Sequence, residues 1–431
     1  MTLAEIVQSA KAEPLFFRDR LSARIAKIRQ ENPALNAFLR SYFNTEIAEH
    51  VWERLANEKK SAPLFGTLFA VKDNIAVKEQ PLSLGLKPPL SKMEPKHAAL
   101  VEHLIRKGST LLGSTNLDPF AAQISGENPN YGNVRNPLYP ERIPCGSSSG
   151  SAAAVAADWV DFAVGTDFGG SLRAPAAACA VCGLKTSPRL LPADGALLLD
   201  SNLDSIGYLA PSIEDFKLLL QTHQPDNAAS VAAADCELLL PCSVELARTD
   251  YSLLDEFKDL TQKIGSRVRV YECDSELGFE RALRLRKLLA VRAIALEVRR
   301  RELPRAVLPE NIRAILSLHD QTPAEEFERV QAEASELQIK LAQLLSSNHI
   351  ILTPTLSAPV PYWKDLHSAG SRDRALALNH FLPLANVGGL PALSFPIQAT
   401  PEEIPLSLQL IGGPGQEQAL VAVGGLIKEM L

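Results

Sequence analysis

Residues 144–155 read Pro144-Cys-Gly-Ser-Ser-Ser-Gly-Ser-Ala-Ala-Ala-Val155, and residues 165–173 read Gly165-Thr-Asp-Phe-Gly-Gly-Ser-Leu-Arg173. Two Gly/Ser-rich turns thus stand about twenty residues apart, separated by a small-residue helix from Ala152 and a short apolar strand, Phe162–Val164. Upstream, the buried-strand pattern Leu68–Val71 delivers Lys72 to its end. Such alternation of strands and helices predicts an α/β fold with a mixed or parallel sheet, helices on both faces. One lysine and two serine-bearing turns, with no histidine near them, point to serine hydrolysis run by lysine.

Working outward, residues 14–31 carry Leu15, Phe16, Leu21, Ile25 and Ile28 at helical spacing, and Asn32-Pro33 predicts a stop. Ala34–Leu39 reads as a strand, 44–58 as a helix, Ala98–Lys107 as a helix closed by Gly108, and Thr110–Leu112 as a strand. The region 225–345 is richer in charge and dominated by helical pattern, as in Leu283–Leu303 and Ala324–Leu345. Ile350–Thr353 and Leu406–Ile411 read as late strands, and Gln416–Met430 as a closing helix. No repeat or low-complexity linker interrupts the chain. The expected organisation is one domain over 1–431, with a helical cap inserted at about 225–345.

The chain has 431 residues, 46% of them hydrophobic, and a formal net charge of −6. This balance gives no electrostatic case for nucleic-acid or anionic-membrane binding. Met1–Lys11 lacks a signal-peptide pattern, and no apolar run reaches the roughly 18 residues of a membrane span. A cytoplasmic location is the expectation. The six cysteines fit reduced thiols, and Cys179 and Cys182 read as small core residues. Trp159 also reads as core, and Arg299-Arg300-Arg301 as a solvated helix face. The eight histidines show no metal-ligand spacing, so neither a metal nor a cofactor is expected.

A serine hydroxyl needs a positioned base to become a nucleophile. Lysine can serve only when neutral, and burial lowers its pKa by disfavouring the charged form. The apolar run before Lys72 offers that burial. Asp73 is adjacent, but neighbouring strand residues point to opposite faces, so it need not pair with Lys72. Gly169-Gly170-Ser171 lets backbone N–H groups converge where an oxyanion forms, although a tight turn also needs such glycines. The Gly146–Gly150 turn lacks the Gly-Lys-Ser/Thr ending of a phosphate-binding loop.

Taken together, these segments resemble the amidase signature family, the Ser-Ser-Lys amide hydrolases. The family pattern is a Gly-Gly-Ser-Ser-(Gly/Ser)-Gly-Ser loop, then Gly-(Ser/Thr)-Asp-x-Gly-Gly-Ser-(Ile/Leu)-Arg-x-Pro. Residues 146–155 and 165–175 match it almost throughout. Val71–Asn74, Thr115–Asp118, Asn136-Pro137, Leu203–Gly207, Thr353–Thr355 and Leu406–Gly412 match as well. The resemblance implies Ser171 as nucleophile, Ser147 as bridge on a cis peptide, and Lys72 as base. It implies an oxyanion hole from the N–H groups of Phe168, Gly169, Gly170 and Ser171. Asp167 and Arg173 would brace the loop, with Ser148 in support. Gln123, Ile124 and Tyr131 are the candidate pocket residues. Cys145 stands where the family usually has glycine, Phe168 where threonine is common, and Thr186 where proline is usual.

Three branches compete. Gly126–Asn128, Tyr131-Gly132, Ser147–Ser149 and Trp159–Gly165 resemble indole-3-acetamide-type hydrolases acting alone on a small-molecule amide. The glutaminase (A) subunit of a tRNA-dependent amidotransferase usually carries a tyrosine-rich cap segment, whereas Ser317–Glu333 has no tyrosine. Asn379 stands about where that subunit often has aspartate. Some relatives are docking proteins that have lost catalytic residues, but Lys72, Ser147 and Ser171 are all present here. A homodimer stays open, since surface patches cannot be drawn from sequence.

Overall fold

Alternate residues of a strand face opposite sides of a sheet, and in the central strands both sides are apolar. Phe69, Val71, Phe162, Val164 and Tyr208 enter one buried cluster, while Leu68, Ala70, Ala163 and Leu209 enter a second. The sheet therefore lies between two cores, and helices cover both faces.

The computed structural model describes residues 1–42, 60–223, 235–345, 348–367, 377–397 and 403–431. The helix expected over 44–58 lies outside them. The strands are β1 (Phe38–Ser41), β2 (Leu68–Lys72), β3 (Thr110–Thr115), β4 (Phe162–Asp167), β5 (Cys182–Lys185) and β6 (Ser205–Ala210). They continue as β7 (Glu237–Leu240), β8 (Arg269–Glu272), β9 (His349–Pro354), β10 (Ala392–Pro396) and β11 (Ser407–Ile411). They form one mixed sheet in the order β1-β3-β2-β4-β6-β5-β10-β11-β9-β7-β8. β2 pairs in parallel with both β3 and β4, and the run from β4 through β9 is antiparallel. β7 then adds in parallel to β9, and β8 to β7.

Two expectations need correction. The helix expected over 14–31 runs Pro14–Leu35, straight through Pro33, after a shorter helix Leu3–Ala12. Pro33 sits in the last turn, and the carbonyl that loses its donor belongs to exposed Arg29. The helix ends instead at Asn36, which is left-handed at φ 52° and donates its N–H to the Asn32 carbonyl at 2.7 Å. The following strand is accordingly displaced to β1.

The region 225–345 is also more than helical. Helices Tyr251–Ile264, Phe279–Arg300, Glu310–Gln321 and Ala324–Leu344 match the pattern, but β7 and β8 extend the main sheet. β7 is a short Glu-Leu-Leu-Leu run whose Leu238 and Leu239 are buried, too brief to show a period. No helix of the described residues is long and apolar enough to cross a membrane. Trp159, Cys179 and Cys182 are buried core residues, and both thiols are free.

Candidate active site

Lys72 is the last residue of β2, between β3 and β4, and is fully buried. Its Nζ donates to Ser147 Oγ at 2.8 Å and to Thr166 Oγ1 at 3.0 Å. Burial lowers its pKa to about 8, against the opposing pull of Asp204, Asp118 and Asp167. Asp73 turns away to Arg40 and Ser83. The same burial pushes the Asp118 and Asp204 carboxyls up.

Ser147 follows a cis Gly146–Ser147 peptide at the start of helix Ser149–Ala156. That helix begins at Ser149, earlier than the apolar pattern suggests, because its first turn is made of serine and glycine. Gly146 lies against Asp118, and an added Cβ would come 2.3 Å from Asp118 Oδ1. Asp118 in turn accepts from the N–H groups of Ser125 and Gly126 at 3.0 Å each. Cys145 takes the left-handed φ of 54° that the usual glycine would adopt.

The second turn carries Phe168–Ser171, between β4 and helix Arg173–Ala178. Ser148 N–H donates to the Ser171 carbonyl at 3.1 Å, which joins the two serine loops. Ser148 Oγ donates to the Thr166 carbonyl at 3.3 Å. Ser171 Oγ is buried and makes no hydrogen bond. Gly170 has φ 108°, and a Cβ there would come 2.5 Å from Leu382, so only glycine fits. Its N–H donates to Asp167 Oδ1 at 2.6 Å. Among the described residues, the N–H groups of Phe168, Gly169 and Ser171 donate to no protein acceptor.

Asp167 and Arg173 form a fully buried pair, with Nε to Oδ2 and Nη2 to Oδ1 both at 3.0 Å. Arg173 also donates to the Leu382 carbonyl, Gln409 Oε1 and Asn386 Oδ1. Burial alone would raise the Asp167 pKa. The Arg173 guanidinium, Lys185 and Asn386 instead hold it well below the usual carboxylate range.

Lys72, Ser147, Ser148, Asp167, Ser171 and Arg173 therefore converge. Tyr131 donates its hydroxyl to the Leu86 carbonyl at 3.1 Å, and its ring lies 4.4 Å from Lys87 Nζ. Ile124 packs against the apolar cluster that includes Cys145, Ala174 and Leu382. Gln123 is half-buried.

Several site residues carry no sequence signal of their role. Thr166 and Gln409 lie inside quoted motifs and Asn386 outside them, and nothing local says which partner each meets. Arg286, on helix Phe279–Arg300, packs its guanidinium against Gly169, and no sequence signal separates it from nearby arginines. Among the described residues, no group of three metal-ligating side chains comes together.

The Amidase family model matches residues 19–258 and 252–421. The A-type subunit of the glutamyl-tRNA(Gln) amidotransferase of Akkermansia muciniphila is 30% identical over 426 residues, covering 89% of this chain and 90% of that protein. Its counterpart in Sulfurisphaera tokodaii is 36% identical over 245 residues, 57% of this chain and about half (51%) of the relative. A crystal structure of an amidase superposes with a TM-score of 0.88 at 27% identity, covering 100% of both chains. 6-Aminohexanoate cyclic dimer hydrolase shares the fold, with a TM-score of 0.87 at 22% identity over 100% of this chain and 97% of that one. A family model spanning most of the chain, a relative matched almost end to end and a shared sheet agree: the chain belongs to the amidase family, hydrolases of amide C–N bonds.

Proposed function

We propose that the protein hydrolyses a small carboxylic amide to the acid and ammonia or an amine, through an acyl-enzyme on Ser171. The observation that carries this reading is the sealed Lys72 Nζ, 2.8 Å from Ser147 Oγ, on a loop tied to the one bearing Ser171. Neutral Lys72 draws the Ser147 proton as Ser147 draws that of Ser171. Ser171 Oγ then attacks the amide carbon. The oxyanion is received by the free N–H groups of Phe168, Gly169 and Ser171, each worth on the order of 10²–10³ in rate. The proton returns by the same relay to the leaving nitrogen, the C–N bond breaks, and water hydrolyses the ester. Asp167 and Arg173 hold the turn; neither exchanges a proton.

The test is ammonia release from a panel of aryl and alkyl amides, indole-3-acetamide, allophanate, asparagine and glutamine. Ser171→Ala should abolish release and leave the fold intact by circular dichroism. Turnover by this variant near the wild-type rate would refute the assignment.

A second reading, the glutaminase subunit of a tRNA-dependent amidotransferase, is favoured by relatives that carry that name over most of this chain. Glutamine turnover that appears only with partner subunits would select it. Turnover of other amides by the chain alone would select the stand-alone enzyme. The retained lysine and serines weigh against a non-catalytic docking role.

A further inference from the structure

Three buried carboxylates act on Lys72, in the order Asp204, Asp118 and Asp167. Two of them are occupied on both oxygens. Asp167 is clasped by Arg173. Asp118 accepts from the N–H groups of Ser125 and Gly126. Asp204 differs. Its Oδ2 accepts from Leu199 N–H at 3.0 Å, while its Oδ1 is sealed from solvent with no hydrogen-bond partner among the described residues. An ionised carboxylate has several lone pairs to satisfy, and leaving them bare in the interior is costly unless a charge faces them.

The sheet sets Asp204 beside the lysine. It stands directly before β6, which pairs with β4 so that Ser205 lies opposite Asp167 and Ile206 opposite Thr166. Thr166 Oγ1 accepts from Lys72 Nζ at 3.0 Å. Lys72, Thr166 and Asp204 thus share one end of three adjacent strands, β2, β4 and β6. The other charges that face Asp204 are Asp167 of β4, Lys185 of β5 and Arg286 of helix Phe279–Arg300. Burial pushes its carboxyl up, while Leu199 N–H, Lys72 and Lys185 favour the anion.

We propose that Asp204 is the counter-ion of the Lys72 ammonium, a positioning residue that stabilises this cation as the proton relay forms it. This rests on the acyl-enzyme reading. As Ser171 attacks, its proton passes to Ser147 and that of Ser147 to Lys72, so a cation appears where water does not reach. A fixed anion not spent on other donors stabilises that cation in the transition state and does little for the neutral lysine before it. Asp204 exchanges no proton and acts only through Lys72.

The experiment follows the acyl burst with p-nitrophenyl acetate by stopped flow, from about pH 6 to 9, in wild type and Asp204 variants. Asp204→Asn is nearly isosteric and still accepts from Leu199 N–H. Without the anion Lys72 loses its proton more readily, so the rising limb should move to lower pH by about one unit, the low end of what a nearby opposite charge imposes. A base weakened about tenfold loses roughly three- to tenfold on the plateau, for a proton half to wholly transferred. The variant should therefore match or exceed wild type near about pH 6 and fall behind it by that factor near about pH 9. Asp204→Glu keeps the charge and should hold the limb within about half a unit of the wild-type position. Asp204→Ser, a second neutral replacement, carries the test if Asp204→Asn does not fold by circular dichroism. A residue that only supports the fold would lower the burst by one factor at every pH. That result, a limb that stays in place, or neutral variants that all fail to fold, would overturn the proposal. A wild-type burst with such parallel losses sinks only the counter-ion. No burst in wild type, or a burst that persists in Ser171→Ala, sinks the acyl-enzyme chemistry and this inference with it.

Discussion

If Lys72 must be neutral to start the proton relay, activity has to follow its titration. Burial holds its pKa at about 8, so the neutral fraction is about 1% at pH 6, about a tenth at pH 7, half at pH 8 and about 90% at pH 9. The sign follows from the direction of the shift: burial expels the proton, so lowering the pH restores the cation and removes the base. Log kcat/KM should therefore rise with unit slope from pH 6 to about 7.5 and level off above 8.5, for a total gain of about 90-fold between pH 6 and 9. The assay is ammonia release at substrate well below KM, in buffers of constant ionic strength, with an amide that does not titrate over this range. Lys72→Arg keeps the cation and cannot release its proton, so it should fall by about 10²–10⁴ and lose the limb. A wild-type midpoint near the ordinary lysine value of about 10.4 would refute the reasoning, as would a flat profile.

Thr166→Val should lower the plateau kcat/KM several-fold and move the rising limb to lower pH, because it removes an acceptor that favours charged Lys72 at 3.0 Å; a pH–rate profile of the variant checks it. Asp167→Ala leaves the Arg173 guanidinium fully buried without its counterion, so denaturant unfolding should report a loss of about 3–5 kcal/mol. Gly170→Ala places a Cβ 2.5 Å from Leu382 at φ 108°, and should cost about 1–3 kcal/mol in stability and most of the activity.

The candidate reacting groups are legible because each sits in a short motif whose residue types have a chemical reason to be together. Lys72 follows a four-residue apolar run, and that run is the buried strand that seals it. Ser147 and Ser171 lie in turns whose glycines already imply close backbone approach. What stays hidden depends on contacts between distant segments. Pro33 reads as a terminator because sequence cannot show that its orphaned carbonyl faces water. β7 and β8 vanish into a helical background because four residues cannot establish a period. Arg286 reaches Gly169 from more than a hundred residues away and looks locally like its neighbours Arg281 and Arg284.

The grip on Arg173 bears on when the chain could first act during its own synthesis. Lys72, Ser147 and Ser171 have all been translated by the time the ribosome reaches residue 260. The groups that hold Arg173 from the other side, Leu382, Asn386 and Gln409, follow it by more than two hundred residues. Until then the serine turn lacks half of its scaffold. A growing polypeptide would therefore carry its candidate reactive side chains unarmed until the segments bearing Leu382, Asn386 and Gln409 fasten them.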